Sequence, residues 1–426
     1  MPPIDVDPSP APADAERREA IARLFRWSTL AMGGASAGLV SCGGGNDGAP
    51  APAAVAGAPA PAPGPAPAPA PAPGPAPAPI VATTFTTGLQ NPWGLAFLPD
   101  DRILVTLKNG ELVIVSADGQ SVGTPLGGVP AVSSAGQGGL LDVALDPDFG
   151  VDPWVYFSYA EPGSGAEAGL SGTAVARGRL AGNALQNVSV IFRQLPKLAD
   201  DMQYGCRLAF GADKTLFATL GDRRTPGLVQ DLTTHIGKVV RINRDGGVPA
   251  GNPSLGPTAR REIWSWGHRN PQGAAIHPAT GDLWVMEHGP QGGDEVNIAV
   301  GGNNHGWPLR SYGCNTGGPG NGCRVGGGVH APAYDEPVTF WPNAIAPGGS
   351  TFYTGNLMPE WYGNLFIGAL TGRALWRLSL EDNAVLTSEP LFASLDERIR
   401  KVGQGPDGAL YLLTDSTAGR IIRVGR

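Results

Sequence analysis

The sequence predicts an all-β protein, a six-bladed β-propeller preceded by an export segment and a disordered Ala/Pro-rich linker. Short apolar runs recur along residues 80–426, each bounded by Gly, Pro or Asp, and no long amphipathic helical pattern interrupts them. Such runs are typical of antiparallel strands joined by tight turns. Six recurring units favour a propeller, because a single blade leaves an apolar face exposed and closing the ring buries every such face.

The beginning of the chain resembles a bacterial export signal. A basic region comes first, formed by Arg17, Arg18, Arg23 and Arg26. The apolar stretch 27–40 that follows is too short to span a bilayer comfortably. It runs into "LVSC" (39–42), which resembles a lipobox and implies cleavage before Cys42 and a lipid on its thiol. The alternatives are an ordinary secretory signal with a chance cysteine and a twin-arginine signal built on the Arg17–Arg18 pair.

A linker then separates the signal (1–42) from the folded domain (80–426). Residues 43–79 are dominated by alternating Ala and Pro. Because proline lacks a backbone N–H, this segment can form neither a helix nor a strand ladder, and we expect an extended, polyproline-like spacer. The sequence therefore predicts a protein of the bacterial periplasm or cell envelope that is held to the membrane by its lipid anchor alone.

The charge of the chain disfavours one class of partner. Charged residues make up only 16% of the sequence, and the formal net charge is -7. Nucleic-acid-binding proteins carry a strongly basic surface, so we expect no nucleic-acid partner. A polyanionic substrate is disfavoured for the same reason.

Each of the six units consists of a strand, a turn with Pro, Asp or Gly, and a second strand rich in β-branched or aromatic residues. The units lie at 94–107, 141–160, 207–222, 273–289, 350–370 and 401–415. Further strands are expected at 110–119, 237–246, 373–380 and 419–426. The first strand, 80–89, is expected to join the last blade and close the ring. A β-sandwich is the alternative, but its strands would recur at shorter intervals.

Three cysteines follow Cys42. Cys314 and Cys323 flank a Gly-rich loop, and in an oxidising compartment we expect a disulfide between them. Cys206 lies in an apolar run and is expected to be a small buried residue rather than a nucleophile.

Polar residues concentrate in the loops of the later units, in "GHRNPQG" (267–273), "EHGPQGGDEVN" (287–297) and "NNHGWP" (303–308). Together with "GQGGLLDVALDP" (136–147) and "THIGKVVRINRDG" (234–246), these motifs resemble the PQQ-dependent soluble aldose sugar dehydrogenases, the glucose/sorbosone dehydrogenase family. The resemblance extends in order through essentially all of the folded domain. It implies a six-bladed propeller, in agreement with the repeat count. It also implies oxidation of a small-molecule sugar, with PQQ as cofactor and a separate electron acceptor.

The resemblance assigns roles to several arginines and amides. PQQ is a planar tricarboxylate quinone, and guanidinium groups are the usual partners of carboxylates. Arg269 and Asn270 match the family's pair at the quinone. Arg398 and Arg400 match its carboxylate clamps, and Gln137 matches a glutamine near quinone and sugar. Without the resemblance, these arginines would be interpreted as blade-surface residues in ordinary ion pairs.

A calcium ion joins PQQ to the protein in relatives, where it acts as a Lewis acid. Calcium prefers several oxygen ligands, including backbone carbonyls. The resemblance makes Gly289 and Pro290 candidates through their carbonyl oxygens, and Glu295 and His305 candidates through a carboxylate and a carbonyl. The alternative for Asp294 and Glu295 is a hairpin turn with solvated carboxylates.

The chain departs from the family at the position of the general base. The family carries a His in a motif resembling H-F-G-G-R-L, and the aligned segment here is "QYGCRL" (203–208), so Gln203 stands at the base position. A carboxamide has no useful basicity, and loss of a general base typically lowers the rate by about 10²–10⁴-fold. The other candidates for a base, acting through water, are Asp200, Asp201 and His288.

Two further departures lie at the expected cofactor site. Relatives carry Lys or Arg where Thr371 stands, and Arg373, two residues on, is a candidate to compensate from the same face of a strand. Thr316 stands where some relatives have a Tyr near the cofactor.

Three hypotheses about function follow from these residues. The first is a PQQ-dependent sugar dehydrogenase with Gln203, Arg269 and Gln137 at its catalytic positions, possessing low activity or an altered substrate range. The second is a propeller that binds a ligand or partner without turnover. The third is a calcium-dependent propeller hydrolase such as a lactonase, which would need a carboxylate-rich metal centre.

Overall fold

A computed structural model describes residues 77–315 and 323–426 of the 426-residue chain. This part is all-β and forms six antiparallel sheets, which are the six blades of a propeller. The fold predicted from the sequence is therefore confirmed. The expected signal, Cys42, most of the expected linker and Thr316 lie outside the described residues. Within the described residues, no helix has the length and apolar character needed to cross a membrane.

The blades follow one another along the chain, and blade 6 also takes the first strand of the domain. Blade 1 contains β2 (Pro92–Phe97), β3 (Ile103–Leu107) and β4 (Leu112–Val115). Blade 2 contains β5 (Leu140–Leu145), β6 (Trp154–Pro162), β7 (Ser171–Ala181) and β8 (Ala184–Arg193). Blade 3 contains β9 (Gly205–Phe210), β10 (Leu216–Leu220), β11 (Lys238–Ile242) and β12 (Ile263–Trp266).

Blade 4 contains β13 (Pro271–Ile276), β14 (Leu283–Glu287), β15 (Asp294–Ile298) and β16 (Thr339–Trp341). Blade 5 contains β17 (Pro347–Phe352), β18 (Leu365–Ala369), β19 (Leu375–Glu381) and β20 (Ala384–Leu391). Blade 6 contains β21 (Ile399–Gln404), β22 (Leu410–Thr414), β23 (Gly419–Gly425) and β1 (Val81–Leu89). Short 3-10 turns lie at Gly165–Glu167, Pro226–Leu228, Pro359–Trp361 and Ala393–Leu395.

Blade 6 closes the ring by joining the two ends of the domain. Strand β1 pairs antiparallel with β23, from Val81 opposite Gly425 to Leu89 opposite Gly419. This is the closure expected from the sequence. The first strand of each blade, counting β21 for blade 6, is the innermost strand, and each inner strand contacts the inner strands of its two neighbours.

The core lies between the blades, because strands such as β10 bury both of their faces. Leu216 and Ala218 of β10 pack against blade 2, whereas Phe217, which alternates with them, packs against blade 4. Successive side chains of a strand point to opposite faces, so one apolar strand fills two interfaces. Complete burial of a side chain such as Leu216 contributes about 1.5–3 kcal/mol to folding.

Cys206 is buried on β9 and unpaired, and burial raises its pKa to about 12, so it is not a reactive thiol.

A fully buried arginine fills the centre of the ring. Arg207 of β9 donates from Nε to the Gln272 carbonyl (2.6 Å) and from Nη2 to the Arg400 carbonyl (2.6 Å). Its Nη1 pairs with Asp142 at 3.1 Å, and its guanidinium carbon lies 3.9 Å from the centroid of the Trp93 ring. These contacts join the inner strands of five blades. The inner strand of blade 5 approaches as closely, since a Cβ on Gly349 would lie 3.0 Å from the Arg207 guanidinium.

Candidate active site

Many polar groups surround a cavity of about 450 Å³ at one end of the ring, called the main cavity below. Its walls are loops that precede the inner strands and loops that follow the second strands. It is lined by six of the residues singled out from the sequence, namely Gln137, Asn270, His288, Thr371, Arg398 and Arg400. The fold therefore brings together residues that the sequence analysis singled out and that lie far apart along the chain.

Two of these arginines share one carboxylate. Arg398 donates from Nε and Nη2 to Asp415 Oδ2, at 2.9 and 2.8 Å, and Arg400 Nη2 lies 3.0 Å from Asp415 Oδ1. Arg400 also donates from Nη1 to Gln272 Oε1 at 3.0 Å. Burial alone would raise the pKa of Asp415, but the two guanidinium groups outweigh it and hold the pKa below its usual value. The arginines are thus ion-paired, yet inside the cavity rather than on an outer blade surface.

A second, small cavity of about 10 Å³ adjoins the polar loops of blade 4, and its size suits one water molecule or one ion. Its lining includes Arg269, Gly289, Glu295 and His305. Three of the four predicted calcium-binding residues therefore meet around one space. Pro290, the fourth, is not among the lining residues.

Glu295 in the small cavity is buried and incompletely paired. Its Oε2 accepts a hydrogen bond from Asn297 at 3.3 Å. Its Oε1 lies 3.4 Å from His330 Nε2, but neither Oε1 nor the two ring nitrogens of His305 have a hydrogen-bond partner within the described residues. Burial and the neighbouring charge of Glu287 raise the pKa of Glu295 well above its usual value. Unpaired buried polar atoms are rare and mark places where an ion or ordered water belongs.

Side chains alone do not complete a metal site there. Among the residues that the structure describes, no group of three or more His, Cys, Asp or Glu side chains is placed to hold a metal ion. A calcium ion bound beside Glu295 would need backbone carbonyls and oxygens from another molecule to complete its ligands.

Glu287 organises the loop that carries Arg269. Its Oε1 lies 2.9 Å from His268 Nδ1 and accepts from Asn297 at 3.0 Å, and its Oε2 accepts from the Arg269 amide at 2.7 Å. Burial opposes ionisation, but His268 and the other donors hold the pKa of Glu287 below its usual value. Glu287 is therefore a charged anchor for "GHRN" rather than a group free to exchange protons.

Asp294 has a structural role that the sequence did not indicate. Its Oδ1 accepts from the Gly289 amide (2.9 Å), and its Oδ2 accepts from the amides of Ile345 (2.8 Å) and Ala346 (2.7 Å). Burial raises the pKa of Asp294 to about 6, against the effect of these three donors. The alternative of solvated hairpin carboxylates is wrong, because Asp294 and Glu295 are both buried.

His288 separates the two cavities and lines both. Its Nε2 lies 2.9 Å from the Pro347 carbonyl, so Nε2 carries the proton and Nδ1 is left to accept, with Asn270 Nδ2 at 3.4 Å. Burial lowers the pKa of His288 to about 3. The imidazole stays neutral at ordinary pH and is too weak a base to take the place of the missing histidine. Asp200 and Asp201 line neither cavity.

Gln203 lies beside the cavities, between an acid and a guanidinium group. In the amide orientation that satisfies both polar atoms, Gln203 donates to Asp222 Oδ1 and accepts from Arg269 Nη2 at 3.0 Å. Its backbone N–H donates to Gln137 Oε1 at 2.8 Å. Asp222 is 2% exposed, and its Oδ2 accepts from Trp307 Nε1 at 2.9 Å. Gln203 is therefore in contact with both of the other predicted catalytic positions, Arg269 and Gln137.

The predicted compensation by Arg373 is wrong. Arg373 lies in the turn after β18, has a positive φ of 46°, and pairs with Asp396 outside the main cavity. The alternation expected for a strand does not apply there, because the chain has already turned. Thr371 lines the cavity, so the position where relatives carry a cation is neutral here. Lys108, which the sequence did not indicate, lines the same cavity.

Other residues of the site were also missed. Gln272, Asp415 and Asp222 contact the predicted residues directly. Gln272 lies within the quoted motif "GHRNPQG", and Asp415 ends the unit 401–415. The sequence therefore contained both residues in recognised segments, but it did not indicate which side chains they would contact.

Near the same loops, Cys314 and Cys323 are joined by a disulfide with a Cα–Cα distance of 5.4 Å.

Comparison with known proteins places the whole propeller in one family. The family model described as Glucose / Sorbosone dehydrogenase matches residues 89–423. An aldose sugar dehydrogenase of Escherichia coli (strain K12) is 41% identical over 342 residues, which cover 79% of this chain and 90% of the relative.

Solved structures agree in fold. A crystal structure of glucose dehydrogenase is similar with a TM-score of 0.77 and 44% identity, covering 81% of this chain and 99% of that one. The PQQ-bound form of an aldose sugar dehydrogenase from Streptomyces coelicolor is similar with a TM-score of 0.66 and 30% identity, covering 82% and 99%.

Proposed function

Because the chain belongs to the glucose/sorbosone dehydrogenase family, we propose that it is a PQQ-dependent aldose sugar dehydrogenase of low activity. When bound, PQQ supplies the oxidising chemistry, since it accepts a hydride from the anomeric carbon of the sugar and leaves a lactone. The sugar donates the electrons, and a separate acceptor removes them.

The main cavity fits the charge of such a cofactor. Arg398 and Arg400 present guanidinium groups that suit carboxylates, and Asp415 holds both in place through ion pairs of 2.8 and 3.0 Å. Asn270 and Gln272 add amide donors and acceptors for the remaining polar edge. These residues would bind and orient PQQ.

The small cavity fits a calcium ion beside that cofactor. Glu295 Oε1, which has no hydrogen-bond partner, would be a hard anionic ligand once ionised, and Gly289 and His305 line the same space, where their backbone carbonyls would be further ligands. His288, which is neutral and lines both cavities, would lie beside both cofactor and metal without adding charge. Because calcium displaces a proton from a protonated carboxylic acid, metal binding would also keep Glu295 ionised.

Gln203 limits the proposed reaction. The anomeric hydroxyl must lose its proton when hydride leaves, and Gln203 can hydrogen-bond that hydroxyl but cannot hold its proton. Arg269 and Gln137, both in contact with Gln203, would still orient the sugar. We therefore expect slow turnover in which water accepts the proton.

The single observation that supports this function best is that the main cavity, with its arginine pair, adjoins the small cavity, where Glu295 Oε1 has no hydrogen-bond partner. The test is a titration of metal-free protein with PQQ, followed by cofactor absorbance with and without Ca²⁺. We expect saturable binding that tightens with Ca²⁺ and weakens when Arg400 is replaced by Gln. Absence of binding in the presence of Ca²⁺ would remove the basis for the proposed activity.

A second function is supported by Gln203 itself. Because its amide is satisfied by Asp222 and Arg269, the position is filled by a stable neutral group, as expected for a propeller that binds PQQ or a sugar without turnover. The two functions are distinguished by sugar-dependent reduction of an artificial acceptor, which only the dehydrogenase performs.

We also propose that the chain is exported and lipid-anchored at Cys42 in the cell envelope. The support is the basic region, the short apolar stretch and "LVSC" (39–42) in the sequence. Mass spectrometry of the membrane fraction tests this. A mature N-terminus at Cys42 carrying acyl chains is expected, and recovery of an unmodified Cys42 would contradict it.

A further inference from the structure

Four side chains that line the main cavity carry a full charge: Lys108, Arg398, Arg400 and Asp415. The two arginines are both paired with Asp415, so these three groups together leave one positive charge. Lys108 is different. Within residues 77–315 and 323–426, its ammonium group forms no ion pair with a carboxylate, and its one hydrogen bond goes to a neutral oxygen.

The structure holds Lys108 firmly at the edge of the cavity. Its backbone N–H donates to the Asn91 carbonyl at 3.1 Å, and its carbonyl accepts from the Leu140 amide at 3.3 Å. The latter bond ties the end of β3 to the inner strand of blade 2. At the other end of the side chain, Nζ donates to the Gly136 carbonyl at 2.5 Å. Because Gly136 precedes Gln137, the ammonium group lies next to the loop expected to face the sugar.

We propose that Lys108 binds a carboxylate of the cofactor. This assignment rests on the proposed function of the cavity. An ammonium group that donates only to a neutral carbonyl has two further donors available. A carboxylate is a stronger partner than a carbonyl, because both groups of the resulting hydrogen bond are charged. Lys108 comes from blade 1 and the arginine pair from blade 6, so together they hold a tricarboxylate at more than one edge.

Thr371 provides an internal test of this assignment. It lines the same cavity from blade 5 and is neutral, although relatives place a cation there. Its backbone N–H donates to the Ile345 carbonyl at 3.0 Å, and the residue is exposed, so its side chain can be lengthened. If Lys108 acts through its charge, a lysine introduced at 371 should compensate for the loss of Lys108.

The experiment measures the dissociation constant of PQQ by absorbance titration in the presence of Ca²⁺, for the full propeller and its variants. We expect Lys108→Met to weaken binding about 10- to 100-fold, as for the loss of a charge-assisted hydrogen bond. We expect Lys108→Arg to bind within a few-fold of wild type. Adding Thr371→Lys to Lys108→Met should restore most of the affinity.

Two controls separate charge from folding. Lys214→Met removes a lysine that pairs with Asp148 outside the main cavity, and it should leave PQQ binding unchanged. The affinity of wild type should fall more steeply with added salt than that of Lys108→Met, because one ionic contact has been lost. A structural role would give the same salt dependence in both.

The proposal is overturned if Lys108→Met binds PQQ as tightly as wild type, or if Lys108→Arg is as weak as Lys108→Met and Thr371→Lys restores nothing. In either case wild-type binding would leave the proposed function intact. Failure of the wild-type chain itself to bind PQQ would overturn the function and this assignment together.

Discussion

At the residue scale, the most informative side chain is Gln203. The sequence placed it at the position of a missing base, and the structure places its amide between Asp222 and Arg269. These partners could not be predicted from the sequence, because they come from other loops and meet only when blades 3 and 4 pack together. The contact with Asp222 matters, because a buried carboxylate can hold an imidazole in the orientation and tautomer of a general base.

We therefore expect Gln203→His to raise kcat/KM for an aldose by about 10²–10⁴-fold. The new imidazole would donate from one nitrogen to Asp222 and leave the other free for the sugar hydroxyl. Steady-state kinetics with PQQ, Ca²⁺ and an artificial acceptor measure the change. Only neutral imidazole accepts a proton, so the gain should be small at low pH and increase as pH rises through the imidazole pKa, ordinarily about 6.5.

Gln203→Asn is the matched control, since it keeps an amide but adds no base. It should show neither the gain in rate nor the new pH dependence. A Gln203→His variant that binds PQQ normally and remains as slow as wild type would show that the lost histidine is not what limits the reaction.

At the element scale, the loop between β14 and β15 is shaped by a carboxylate that holds no ligand. Asp294 accepts three backbone N–H groups, which join this loop to the residues before β17. The sequence indicated a polar loop with metal-binding character. It could not distinguish the Asp294 carboxylate, which fixes the loop, from the Glu295 carboxylate, whose Oε1 has no hydrogen-bond partner, because the two residues are adjacent and chemically alike.

Replacement of Asp294 by Ala should lower the free energy of unfolding by about 2–4 kcal/mol, because three buried donors lose their acceptor. Chemical denaturation measures this. Asp294→Asn, which keeps one acceptor oxygen, should lose less. Glu381→Ala removes an exposed carboxylate at the end of β19 and is the surface control. Equal stability of Asp294→Ala and Glu381→Ala would show that the loop does not depend on Asp294.

Strands were more predictable than turns. The strand pairs of all six blades follow from apolar runs and turn residues, which are local signals. Six strands were not predicted: β7, β8, β12, β15, β16 and β20. In β8 and β20, exposed positions dilute the apolar pattern. Arg373 was misplaced for a related reason, since a two-residue periodicity was extended into a turn.

At the scale of the whole molecule, the closure of the ring and the contacts of Arg207 at its centre both depend on residues that are far apart in the sequence. The closure of β1 on β23 was predictable, because an unpaired strand at each end of a repeat implies one shared blade. The position of Arg207 at the axis was not predictable, because no local pattern indicates that one side chain will meet the inner strands of so many blades.

Arg207→Met should therefore destabilise the whole propeller, by about 3–5 kcal/mol, as expected when one partner of a buried ion pair is removed. Burial lowers the pKa of Arg207 to about 10, so the side chain remains charged at neutral pH. Calorimetry should show a single unfolding transition at a lower temperature. Arg102→Met, which removes an exposed pair with Asp100, should remain within about 1 kcal/mol of wild type. Equal melting temperatures for the two variants would contradict the axial role of Arg207.

The proposed function is tested most directly by adding an aldose to the protein loaded with PQQ and Ca²⁺ and recording the absorbance of the bound cofactor without any electron acceptor. We expect the oxidised spectrum to convert to the reduced one slowly, in proportion to bound PQQ, and about 10²–10⁴ times faster in Gln203→His. A bound cofactor that stays oxidised with every aldose tried, in wild type and in Gln203→His alike, would show that this cavity does not oxidise sugars.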